Sequence, residues 1–182
     1  MIIASQKRKE NIAEYLLYMW QIEDIIRANN LDIDKIKSTV IDKFPLSEEQ
    51  RNEMIGWYES LIEMMRMEGV IEKGHLQINR NVLSSLVELH RTLLSDPEFP
   101  KYTELFYRTL PYIVELRSKA GEDKQGEIET CFNALYGMLM LRLQKKDISA
   151  ETEKAIQQIS RFMAILAYYF RLNEEEKLDK EP

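Results

Sequence analysis

The chain reads as an all-α protein, and three observations predict that class. Apolar residues recur at helical spacing along most of its 182 residues. Glycine (6) and proline (5) are too few to punctuate a strand-and-turn protein. The polar positions are rich in Glu, Lys, Gln and Arg and the apolar ones in Leu, Ile and Met, all good helix formers. The expected architecture is a single-domain irregular bundle of six or seven helices, residues 1–172, with a charged, frayed tail at 173–182.

Seven helical segments follow in order. The first spans about Ser5 to Ala28 and stops at Asn29-Asn30. A short second one starts near Asp32 and ends before Pro45. The third opens on Ser47-Glu-Glu-Gln50, which matches a capping box, and stops at Gly69 by position a C′ glycine. Residues 69–78 break the 3.6 period with two glycines, so either a minor β-turn element at 70–78 or a tight helix-to-helix connection is expected. Asn79 is the expected N-cap of the fourth helix, which runs to Ser95 before Asp96-Pro97. The fifth covers Lys101 to about Ala120, with Pro111 producing a kink or a break. Gly121 and Gly126 bracket a charged loop. The sixth, Glu127 to Lys145, is apolar nearly all round and is the expected centre of the bundle, in contact with the first helix. The seventh starts near Ser149 and runs past Phe170, with Ala155, Ile159, Phe162, Leu166 and Phe170 inward.

Composition excludes several classes. A net charge of −6 and a pI near 5.2 disfavour nucleic-acid binding. An RNA-related role needs a basic face, for which Lys7, Arg8, Lys9, Lys145 and Lys146 are the candidates. No apolar run approaches the roughly 20 residues that span a bilayer, so no membrane insertion is expected. No secretory signal is visible, and the single Cys131 allows no intramolecular disulfide; both fit a cytoplasmic location.

Glu23 is the most informative residue. Ile12, Leu16, Met19 and Ile26 share one face of the first helix, and Glu23 projects from the middle of it. A carboxylate there must be paired or ligated, since burying it alone is costly. Arg27, one turn on, is the expected partner, with Trp20 and Asp24 beside it. The cluster is either a structural ion pair with the Arg stem covering apolar surface, or a pocket wall in which Arg27 binds an anion.

Other candidates are weaker. His90 lies near the middle of an apolar face and is more often a satisfied core residue than a base or ligand. Glu72 and His75 have the Glu-x-x-His spacing of di-iron bundles, but only one such pair exists and Gly74 sits inside it, so no metal or other cofactor is expected. Arg80 and His90 are ten residues apart, too far to share one phosphate. Glu68 falls within the apolar arc of the third helix. Glu129, Asn133, Tyr136 and Arg142 interrupt the sixth helix and need partners, Glu23, Arg27 or His90 among them, or line a small cavity. Cys131 reads as a buried, inert thiol. No Gly-rich phosphate loop, Gly-x-Ser-x-Gly elbow or CxxC pair occurs.

Three stretches carry a resemblance: Glu14-Tyr-Leu-Leu-Tyr-Met-Trp-Gln-Ile-Glu-Asp-Ile-Ile-Arg27, Glu68-Gly-Val-Ile-Glu-Lys-Gly-His-Leu-Gln77 and Phe106-Tyr-Arg-Thr-Leu-Pro-Tyr112. In them the chain resembles an uncharacterised bacterial all-helical domain-of-unknown-function family of about this length. The resemblance implies a stand-alone cytosolic bacterial protein and assigns no activity. On the residues themselves, the expected function is a non-catalytic interaction or regulatory module, with Tyr18, Trp57 and Tyr169 as exposed aromatics pointing to self-association. The rival is a small-molecule binder or enzyme whose pocket is lined by Trp20, Glu23, Arg27 and His75 or His90.

Overall fold

The computed structural model describes residues 2–120 and 125–178, and these are all-α: eight helices and one 3-10 turn, with no strand among the described residues. In chain order they are α1 (Ile2–Glu10), α2 (Ile12–Ala28), α3 (Ile33–Thr39), the 3-10 turn (Ile41–Lys43), α4 (Glu48–Met67), α5 (Gln77–Ser95), α6 (Pro100–Ala120), α7 (Glu127–Leu143) and α8 (Ala150–Glu174). The charged loop expected after Gly121 lies largely outside the described residues, as does the tail beyond residue 178.

The chain divides into two compact helical units, one of residues 1–9 and 14–81, the other of 10–13 and 82–182. In the first, the stops and starts follow local chemistry. The expected first helix is two, because Asn11 interrupts it: its Oδ1 accepts the Ala13 N–H at 3.0 Å and begins α2. α2 ends on Asn30, whose φ of 57° is a conformation asparagine tolerates better than most residues. Asp32 caps α3 by accepting from Asp34 and Lys35 N–H, and Ser47 with Gln50 forms the full capping box of α4. α4 closes with a Schellman motif. Gly69 takes φ 69°, its N–H reaches the Arg66 carbonyl, and the buried Val70 donates to Met65 O. The core of this unit holds Leu16, Met19, Ile26, Ile36, Ile41, Tyr58 and Met65.

In the second unit α6, α7 and α8 pack pairwise. Phe99, Tyr102, Phe106, Phe132, Ile159, Phe162 and Leu166 are buried there. α6 continues through Pro111 without a break. Pro111 and Tyr107, the residue whose carbonyl loses its helical donor, are both exposed, so that carbonyl lies on the solvent side of the helix. α7 departs from the central role expected for it. Its first turns bury Ile128, Cys131 and Phe132, but Leu139 is only half-buried and Leu143 is 67% exposed.

Candidate functional site

Glu23 is fully buried, and the donors that satisfy it come from the connection between α4 and α5 and from the first turn of α5. Its Oε2 lies 2.6 Å from His75 Nδ1. Its Oε1 accepts the Leu76 backbone N–H at 2.9 Å and the Asn79 side-chain amide at 2.7 Å. With the carboxylate accepting, Nδ1 carries the imidazole proton and Nε2 is the ring's remaining nitrogen. Trp20, one turn before Glu23 on α2, stacks on the other side of this arrangement. Its ring lies 4.1 Å from that of His75 and only 10° from parallel. The His75 side chain keeps a third of its surface exposed, while Glu23 keeps none.

Arg27 does not pair with Glu23, as the i, i+4 spacing suggested. Its Nη1 reaches Asp24 at 2.9 Å, and its Nη2 donates to the carbonyls of Val70, at 3.2 Å, and Gly74. The connection offers two backbone acceptors in line with the guanidinium, and His75 has taken the carboxylate oxygen that Arg27 would have used. Asp24 itself is exposed. A positive φ of 87° at Gly74 turns the chain so that its carbonyl faces Arg27.

Glu68 completes the set. It sits at the end of α4, and its Oε2 accepts the Gln77 N–H at 2.6 Å. The first intrahelical bond of α5 runs from Arg80 N–H to Leu76 O. Two of the N–H groups that the start of a helix leaves unpaired, those of Leu76 and Gln77, are therefore satisfied by Glu23 and Glu68. Both carboxylates sit where the helix dipole favours negative charge. Asn79, expected as the cap, lies instead inside the first turn, and its side chain turns inward to Glu23. No extended pairing forms at 70–78; the segment is a bent connection held from below. Ile71, Glu72, Lys73 and Gly74 are exposed on it.

His90 stands in the second unit with different company. It is 4% exposed, and its Nδ1 lies 2.6 Å from the Tyr102 hydroxyl. The rings of Tyr102, Phe106 and Phe162 meet it edge-on. Burial pulls its pKa down to about 4, with Arg91 assisting and Glu127 opposing. The same desolvation pushes the Tyr102 hydroxyl upward. This is a neutral core histidine. Of the residues singled out in the sequence, Trp20, Glu23 and His75 are in direct contact. Arg27 and Glu68 adjoin them by holding the same connection, Asp24 pairs with Arg27, and His90 has its contacts elsewhere.

Asn133 donates to Gln125 at 2.7 Å, and Arg117 bridges Glu127 and Thr130 at the start of α7. Cys131 is buried, and desolvation pushes its thiol up to about 12. Tyr169, expected to be exposed, is buried against Phe99 and Tyr102; Tyr18 and Trp57 are half-buried. Among the described residues, no group of three or more His, Cys, Asp or Glu could hold a metal ion, and no helix is long and apolar enough to cross a membrane.

Residues 1–177 match the family described as Domain of unknown function (DUF4924), and the chain belongs to it. No curated protein and no solved structure matches the chain.

Proposed function

We propose that the protein is a non-catalytic interaction or regulatory module of the bacterial cytoplasm, which presents the 71–74 connection to a protein partner or a second copy of itself. One observation carries the reading. Glu23, the residue best placed for chemistry, has both oxygens committed to internal donors, and those donors order the connection. Arg27 and Glu68 add three more hydrogen bonds to the same end. A connection anchored by two carboxylates and a guanidinium is pre-organised, which lowers the cost of binding. Ile71 stands 45% exposed on it. A second exposed apolar set supports self-association: Tyr107 and Val114, two turns apart on one face of α6, are 63% and 54% exposed. The single buried thiol fits a reducing compartment.

A photocrosslinking residue at the exposed position 72 or 107, introduced in living bacteria, tests this. The expected result is a discrete polypeptide adduct from at least one position, lost when Ile71→Asp or Val114→Glu is added beside it. Absence of any polypeptide adduct from both positions contradicts the reading.

One observation favours the second reading, a small-molecule site formed by Trp20, Glu23, Arg27 and His75. An imidazole oriented by a buried carboxylate, stacked on an indole and partly exposed, is the geometry of a general base. That reading predicts that small-molecule fragments shift the His75 ring signals in NMR, and a fragment screen that leaves those signals unmoved removes it.

A further inference from the structure

A second feature of the first unit owes nothing to Glu23. α1, α2, α4 and the start of α5 leave a cleft of about 210 Å³ between them. Its floor is buried: Tyr15, Met19 and Leu61 are each less than a tenth exposed. Trp57 forms a half-buried wall, with Met64 beside it. The rim is polar, made by Arg8 and the hydroxyls of Ser5 and Ser60. The Arg8 guanidinium lies 5.7 Å from the Tyr15 ring centroid. An arginine has five donors in a planar fork, so this contact positions the group and leaves donors for an anion.

We infer that this cleft is a binding site for a small aromatic carboxylate, the ring lying on Tyr15 and Trp57 and the carboxylate meeting Arg8 at the rim. Three features select the class. The volume is below the roughly 300 Å³ at which sites for drug-sized ligands begin, so the ligand is small. Two aromatic faces and two methionines favour a flat ring, since aromatic pairs and thioether contacts both reward it. The cation at the mouth lies over an aromatic ring and offers an incoming acid a planar fork of donors.

Phenylacetate is the probe, with the two tryptophan indole N–H signals as reporters. Saturable movement of the Trp57 signal is expected, with a Kd of about a millimolar or tighter for a ligand of about ten non-hydrogen atoms. The Trp20 signal stays where it is. Arg8→Gln weakens binding about tenfold, as loss of one charge-assisted hydrogen bond does. Ser60→Leu, an exchange at an exposed position, fills the cleft and abolishes binding while the melting temperature holds. Phenylacetamide binds more weakly than the acid. The inference is overturned if Trp57 does not respond, if Trp20 moves in parallel, if Arg8→Gln binds as wild type does, or if the amide binds as well as the acid.

Discussion

The two histidines of this chain differ in one respect that explains the rest. His75 is bonded to a buried carboxylate and keeps a third of its side chain in solvent, whereas His90 is bonded to a phenol and enclosed by aromatic rings. In the first region a carboxyl group is buried because the chain brings three polar partners to it. In the second the imidazole meets a phenol hydroxyl and aromatic rings, and burial favours its neutral form. Polar residues on apolar helix faces thus have two fates in one small protein. One anchors a connection through hydrogen bonding, and the other fills space as a large polar-tipped ring.

Removing the anchor gives the largest expected effect. Glu23→Ala strips the acceptor from His75, Leu76 N–H and Asn79 at once and is expected to cost about 3–5 kcal/mol in urea denaturation. A loss below about 1 kcal/mol, the typical net worth of one hydrogen bond, makes the anchor ornamental and erases the contrast with His90.

The second test works through pH. His90 is held at about 4 in the folded chain, against about 6.5 when unfolded. Between those values the unfolded chain binds the extra proton, so the contribution of neutral His90 is complete above pH 6.5 and fades as pH falls toward 4. Its full loss is up to roughly 3 kcal/mol. His90→Gln retains a partner for Tyr102 and does not titrate. The difference between wild-type and His90→Gln stability is therefore expected to shrink or reverse from pH 7 to pH 4, and a pH-independent difference contradicts the burial argument. Smallest of the three is Arg27→Gln. It loses the bonds to Val70 and Gly74 but leaves the Glu23 set intact, for a cost of about 1–3 kcal/mol by thermal melting.

The period of 3.6 made α2's buried face legible, and with it Glu23 as the residue that needed partners. It could not name the partners. Arg27 was the neighbour in sequence, while His75 is 52 residues away and meets Glu23 only once α4 has reversed the chain. Asn79 departs from its expected capping role for the same reason: a cap is a local inference, and its amide answers a distant carboxylate. The caps at Ser47 and Gly69, and the helix starts near Asp32 and Ser149, were readable because those motifs close within a few residues. The Asn11 interruption had a signal of that kind, an asparagine between a charged run and an apolar one. The apolar character of α7 predicts full enclosure, yet Leu141 and Leu143 stand exposed. Hydrophobicity alone does not say how much of a helix finds a neighbour.

The most direct test of the anchoring role is hydrogen exchange at the Leu76 amide. If the Glu23 carboxylate holds the connection, this amide is protected in the wild type as strongly as those inside α5, and it loses that protection in Glu23→Ala while amides of α8 lose only what the global destabilisation removes. A Leu76 amide that exchanges in the wild type as freely as those of the exposed Glu72 and Lys73, or one that stays protected in Glu23→Ala, contradicts the account.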